Sequence, residues 1–223
     1  MIELEEFEDG NPVNKEREKF NRRNEAILYH NDDVGIVFIG DSITAYWDID
    51  SYFRHKDNKR LINRGVSDDY TMYCRRRFEA DALQLKPDLI ILSIGVNNTK
   101  TLSEATDDTD ARPIIDQAVN DIKAMIVLSR EHHIPIAVTS VTSLNRPHLD
   151  QSGVRAAAIT EINSQIERLA DDMAIPFINY YKEMTINNRL NAELTKDGLH
   201  PHVKGYDVMA AVLSRQIEVL TTK

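Results

Sequence analysis

Val34-Gly35-Ile36-Val37-Phe38-Ile39-Gly40-Asp41-Ser42-Ile43-Thr44 is the stretch on which the reading of this chain turns. Its first six residues are rich in β-branched side chains and apolar without alternation. That pattern suits a strand covered on both faces, as in a parallel sheet. The strand runs out in Gly-Asp-Ser, and a helical segment follows. A serine at that junction has two readings. It can cap the helix, or it can be a nucleophile facing the free N–H groups of the helix start, which favour developing negative charge.

Working outward, the same kind of run recurs at Leu89 to Ile94 and at Ile134 to Thr139, with weaker runs at Arg60 to Asn63 and Ile175 to Asn179. Between them lie helical patterns. Ile115, Val119, Ile122 and Ile126 make one apolar stripe; Ile159, Ile162, Ile166, Leu169 and Met173 make another. Val208, Ala211, Leu213, Ile217 and Leu220 predict a last helix on the sheet, and Asn14 to Tyr29 a charged, weakly amphipathic one before the first strand. Alternation of strand and helix predicts an α/β three-layer sandwich. Residues 1–223 read as a single domain, with 1–33 as a helical extension packing on it. Thr99 to Arg112 is rich in Asp and Thr and follows a strand, so it belongs at the carboxyl edge of the sheet, where ligands bind in open α/β folds.

Bulk properties narrow the function. A formal net charge of −9 disfavours nucleic acid and anionic membrane surfaces as partners. One cysteine, Cys74, permits no internal disulfide, and the acidic start Met1-Ile2-Glu3-Leu4-Glu5-Glu6 does not read as a secretory signal. No apolar run approaches the roughly 20 residues that span a bilayer. The expectation is a cytoplasmic protein without membrane insertion; the oligomeric state is open, a homodimer included. Neither a metal-ligand cluster nor a phosphate or dinucleotide loop appears, so no cofactor or metal is expected.

Asp197-Gly198-Leu199-His200-Pro201, before the last helix, changes the weight of the serine. A tight turn across this spacing sets the carboxylate against one imidazole nitrogen and leaves the other free to take a proton from serine, the division of labour of a Ser-His-Asp triad. A serine hydroxyl needs such a base to become a nucleophile. His202 lies close enough to compete, but the Asp-x-x-His spacing and Pro201 favour His200.

At this point the chain resembles the SGNH hydrolases, or GDSL esterases, from about Val34 to Tyr206. Gly40-Asp41-Ser42-Ile43-Thr44 is similar to the family's first block, Asn63-Arg64-Gly65-Val66-Ser67-Asp68-Asp69 to its second, Gly95-Val96-Asn97-Asn98 to its third, and Asp197-Gly198-Leu199-His200-Pro201 with Lys204-Gly205-Tyr206 to its fifth. The resemblance implies a flavodoxin-like fold with a five-stranded parallel sheet and ester hydrolysis through an acyl-enzyme. Ser42 would be the nucleophile, His200 the general base and then acid, and Asp197 the residue that orients it. The oxyanion would be held by the backbone N–H groups of Ser42 and Asp68 and the side-chain amide of Asn97, a neutral donor. Short acyl esters, such as acetyl esters of carbohydrates, are the expected small-molecule substrates. A lysophospholipase or thioesterase with the same triad, and a catalytically weak ligand-binding relative, are the alternatives.

Two positions depart from the family pattern. Asp68 stands where the second block usually has glycine; its carboxylate opposes an oxyanion unless it turns away or meets a cation, for which Arg64 and Arg75-Arg76-Arg77 are candidates. Asn98 stands where the third block commonly has aspartate. Asp41, Tyr46, Asn98 and His148 are further candidates for substrate contact. His132 and His133 are expected at a helix C-terminus, and Cys74 in the core.

Overall fold

A computed structural model describes residues 1–105 and 107–222. Five strands form the main sheet: β1 (Val34–Gly40), β2 (Arg60–Gly65), β3 (Leu89–Ser93), β4 (Ile136–Thr139) and β5 (Phe177–Ile178). They lie in the order β2-β1-β3-β4-β5, and every neighbouring pair is parallel. This is the flavodoxin-like order of a doubly wound sheet. β1 sits inside the sheet and is buried along its whole length, which is why its sequence does not alternate.

Five long helices flank the sheet: α1 (Val13–His30), α2 (Thr71–Asp81), α3 (Ala111–Glu131), α4 (Val154–Asp172) and α5 (Val203–Ser214). Crossovers from β2 to β5 gather α2, α3 and α4 together, where α3 packs on both others. Phe38 of β1 meets Trp47 edge-on and stacks against Phe53, and Trp47 stacks on Tyr206 of α5 at 5.4 Å between ring centroids. The stripes expected on α3 and α4 therefore form core layers, with Ile115, Ile122, Ile126, Ile159, Ile162 and Ile166 all buried, whereas the last expected stripe does not hold: α5 ends at Ser214, Ala211 on it is exposed, Ile217 lies beyond it and Leu220 belongs to a strand.

The residues before α1 are ordered against the rest of the chain. Leu4, Phe7, Val13 and Phe20 make a small apolar cluster with Val66 and Ala80. Arg76 clasps it from outside, bonding Glu5 and Glu8 with its guanidinium 4.1 Å from the Phe7 ring centroid.

Some elements have no apolar period and so escape a reading by pattern. Helix α2 is the chief one, because its inner face carries charge. Arg77 and Asp81 there, and Asp69 just before, are wholly buried. Arg77 donates through Nε and Nη2 to Asp69 Oδ2, at 2.9 and 2.7 Å, and through Nη1 to Asp81 Oδ2 at 2.9 Å. The same guanidinium reaches the carbonyls of Gly40 (3.0 Å) and Arg64 (2.9 Å) at the ends of β1 and β2. The short antiparallel pair Thr185–Ile186 with Arg189–Leu190, and the pairing of Phe53–His55 with Leu220–Thr222, are likewise too brief to read from period.

Register carries the fold to the site. Gly40 is level with Gly65 on one side and Ser93 on the other. The segments leaving β1, β2 and β3 therefore emerge together at one edge of the sheet. Arg77→Met leaves two buried carboxylates unpaired there and is expected to cost about 3–5 kcal/mol. Urea unfolding near neutral pH measures it; a loss below about 1 kcal/mol would show that the network is not structural.

Candidate active site

Ser42 is the first residue of a single helical turn, Ser42–Ala45, that leaves β1. Asp41 starts the turn: its Oδ1 accepts from the N–H of Ile43 at 2.9 Å. The segment after β2 closes tightly against this turn, and a Cβ at Gly65 would lie 2.1 Å from the Ala45 nitrogen, so only glycine fits. Asp41 is itself buried, and that burial pushes its carboxyl up to about 7, against the pull of the Ile43 N–H.

The loop before α5 brings the second partner. Asp197 Oδ1 accepts from the backbone N–H groups of Leu199 (3.0 Å) and His200 (2.8 Å), so the carboxylate builds its own turn. Gly198 takes φ +78 there, with its Cα facing the carbonyl of Asn145. Asp197 Oδ2 meets His200 Nδ1 at 2.7 Å, and His200 Nε2 meets Ser42 Oγ at 2.8 Å. Burial opposes ionisation of Asp197, but the hydrogen bonds from the His200 ring and from two backbone N–H groups outweigh it and hold the carboxyl well below its ordinary range. An ionised Asp197 only accepts, so Nδ1 carries the proton and Nε2 presents its lone pair to the serine hydroxyl. His202 does not compete: it caps α5, its Nδ1 accepting from the N–H of Lys204.

Asn97 and Asp68 lie on the two segments that leave the sheet beside that of Ser42. Asn97 is buried, and one hydrogen of its amide goes to the carbonyl of Asp69 at 3.0 Å, which orients the group and leaves its second hydrogen available. Asp68 occupies the third position of a turn closed by Asp69 N–H to Val66 O, with φ +61. That left-handed conformation is the one glycine favours, and here an aspartate adopts it. The Asp68 N–H has no acceptor among the described residues. Its carboxylate bonds Lys100. The cation is therefore Lys100, not one of the arginines expected from sequence: Arg64 is buried on Asn24, Arg75 pairs with Asp121, Arg76 with Glu5 and Glu8, and Arg77 with Asp69 and Asp81.

Of the other candidates, Tyr46 stands beside His200, its ring centroid 5.1 Å from the imidazole, with its hydroxyl accepting from Ser67. Asn98 spends both ends of its amide on Thr71, accepting from the backbone N–H at 3.2 Å and donating to Oγ1 at 2.8 Å. This tethers the start of α2 to the loop after β3. His148 is exposed on the turn Pro147–Leu149, and no hydrogen bond joins it to Ser42 or His200.

Two arginines without a sequence signal brace the site. Arg155, buried in the first turn of α4, donates to Thr99 Oγ1 (2.9 Å), Ser103 Oγ (3.1 Å) and Val96 O (3.3 Å), and so supports the loop that bears Asn97. Arg146 reaches Asp197. Two grooves of about 750 and 950 Å³ open beside the site, both lined in part by Tyr46 and Asp48. Among the described residues no cluster of His, Cys, Asp and Glu fits a metal ion.

Residues 38–208 match the model of the GDSL-like lipase/acylhydrolase family, and the chain belongs to that family. It is a hydrolase acting on esters. No curated protein sequence matches. Among solved structures, a GDSL-like lipase from Bacteroides thetaiotaomicron VPI-5482 is 28% identical, with a TM-score of 0.74 over 90% of this chain and 96% of that one. The lipase/acylhydrolase from Enterococcus faecalis is 23% identical, with a TM-score of 0.64 over 85% and 98%. An acetyl xylan esterase is 22% identical, with a TM-score of 0.65 over 82% and 100%. The last two share the fold.

Lys100→Met leaves the Asp68 carboxylate without its cation and is expected to lower kcat/KM for an ester roughly tenfold, while Asp68→Gly alone retains activity. Asp68→Gly combined with Lys100→Met recovers the loss; a double variant as slow as Lys100→Met alone rules out the charge as the cause. Asp41 offers a separate test, since its folded value of about 7 lies above the ordinary aspartate value of 3.8. The folded state thus binds this proton more tightly, a contribution complete below the unfolded value and lost as pH rises through about 7. Asp41→Asn keeps the oxygen that accepts from Ile43 but never ionises, so its stability relative to wild type is expected to grow by roughly 1–3 kcal/mol from about pH 5 to about pH 8. Urea unfolding at both values measures the gap, and a constant gap refutes the assignment.

Proposed function

We propose that the protein is a serine esterase in which Ser42, His200 and Asp197 form the catalytic triad. The observation that carries this is the unbroken relay of 2.8 Å from Ser42 Oγ to His200 Nε2 and 2.7 Å from His200 Nδ1 to Asp197 Oδ2. Ser42 Oγ attacks the ester carbonyl carbon while its proton passes to His200 Nε2. The tetrahedral oxyanion is held by the N–H groups of Ser42 and Asp68 and the free amide hydrogen of Asn97. Collapse breaks the bond to the alcohol oxygen, which takes the proton back from His200. Water, deprotonated by His200, then attacks the acyl-enzyme, and the acid leaves as Ser42 regains its proton. Asp197 stays ionised throughout and stabilises the imidazolium.

The substrates are small esters with short acyl groups, acetyl esters of carbohydrates among them. The exposed Asp68–Lys100 pair and Tyr46 beside His200 support this over a long apolar chain. The solved structure named as an acetyl xylan esterase is consistent with it. Pairing of Asp68 with Lys100 weakens the case for a catalytically disabled relative. A cytoplasmic setting accords with a lone, buried Cys74, and no helix among the described residues is long and apolar enough to cross a membrane.

Hydrolysis of p-nitrophenyl acetate, butyrate and octanoate tests the reading. Wild type is expected to prefer acetate; Ser42→Ala abolishes turnover while remaining folded, and Asn97→Ala lowers kcat about 100- to 1,000-fold. Equal turnover by Ser42→Ala would overturn the triad, and a rate that climbs to octanoate would overturn the short-chain assignment.

A further inference from the structure

Arg146 lies beyond β4, on a segment zipped to the Asp197 loop. The N–H of Asn145 donates to the carbonyl of Gly198 at 2.7 Å, and the Asn145 amide donates to the carbonyl of Leu190 at 3.0 Å. From there the Arg146 guanidinium grips Asp197 twice. Nε donates to the backbone carbonyl of Asp197 at 2.7 Å, and Nη2 donates to Oδ2 at 2.7 Å. That oxygen is the one that faces His200 Nδ1. The other oxygen, Oδ1, is taken by the N–H groups of Leu199 and His200 and, at 3.3 Å, by Thr195 Oγ1.

We infer that Arg146 is a positioning residue for the ester hydrolysis proposed above: it locks the Asp197 carboxylate in the rotamer that faces His200 and offsets part of the negative charge that His200 experiences. The inference rests on the triad reading. Holding backbone and side chain of one residue in a single planar fork fixes its χ angles in a way one hydrogen bond does not. The charge has a separate effect. The Asp197 anion stabilises an imidazolium, and a cation on the same oxygen offsets part of that charge. The Tyr46 ring lies against His200; Asp41 and Lys196 are the chain neighbours of Ser42 and Asp197, and His202 is occupied at the start of α5. None of these donates to Asp197 Oδ2.

The test compares Arg146→Gln and Arg146→Lys with wild type and Ser42→Ala on p-nitrophenyl acetate across pH, with equal thermal unfolding as the folding check. Arg146→Gln is expected to lower kcat about ten- to a hundredfold with little change in KM, because the base is no longer held in line. Its acid limb of kcat/KM is expected to move up by about half to one pH unit, because the opposing cation is gone. Arg146→Lys keeps the wild-type limb and recovers only part of kcat, since it restores the charge and not the fork. The hydrogen-bonded Nδ1 proton of His200, read by NMR, is expected to be sharp in wild type and exchange-broadened in Arg146→Gln. An Arg146→Gln protein with wild-type kcat, acid limb and Nδ1 signal overturns this inference and leaves the triad standing if Ser42→Ala is inactive. Turnover that survives Ser42→Ala overturns the triad reading instead, and the Nδ1 signal then decides by itself whether Arg146 holds Asp197.

Discussion

The guanidinium of Arg77 is the interaction on which the site's frame depends. It is fully buried with two carboxylates, Asp69 and Asp81, and it also accepts the task of satisfying the carbonyls where β1 and β2 end. Charges out of water are costly unless paired and hydrogen-bonded on all sides, and here the arginine's donors are spent on four acceptor groups. Burial still pushes the Asp69 carboxyl up to about 6, with Arg77 working against it. The return on this arrangement is geometric. Asp69 is held by its side chain, so its backbone carbonyl stands still, and that carbonyl orients the amide of Asn97. Thus a residue on α2 governs a donor on the loop after β3.

Three segments at the sheet edge have an arginine brace of this kind. Arg77 holds the segment after β2, Arg155 the segment after β3, and Arg146 the turn with Asp197 and His200. Arginine suits the work because its planar fork donates in several directions at once, to carbonyls and hydroxyls as well as to carboxylates. Loops bear polar backbone that must be satisfied somewhere, and a site needs its groups within a fraction of an ångström of their working places. A single side chain that meets both needs removes freedom from the loop without adding a helix or a strand. Asp68 follows the same logic on the surface. Its backbone adopts the glycine conformation, and its charge goes to Lys100.

The parts of the molecule legible in the chain are those set by near neighbours. A strand covered on both faces requires an unbroken apolar run, so β1 and β3 declare themselves; a helix against a sheet requires a stripe, so α3 and α4 do too. Helix α2 stays hidden because its inward face holds Arg77 and Asp81, which look like surface residues until their partners are known. Strand β5 is only two residues long, and its reading from Ile175 to Asn179 runs past both ends. At the site, the short spacing from Asp197 to His200 made their pairing readable, since a carboxylate can reach an imidazole three residues on through a single turn.

By itself the sequence determined the sandwich, the strands that build its sheet, and the serine, histidine and aspartate that meet at its edge. Those features follow from periodicity and from motifs whose geometry is local. Only the tertiary structure decided which cation answers Asp68, which arginine grips Asp197, and that Asn98 belongs to Thr71 and not to open space beside Ser42. The physical reason is one of range. Lys100 is 32 residues from Asp68 and Arg146 is 51 from Asp197, and such pairs depend on the path of whole loops and on the rotamers of long side chains. Many charged residues along the chain are chemically able to fill those places, and only packing selects among them.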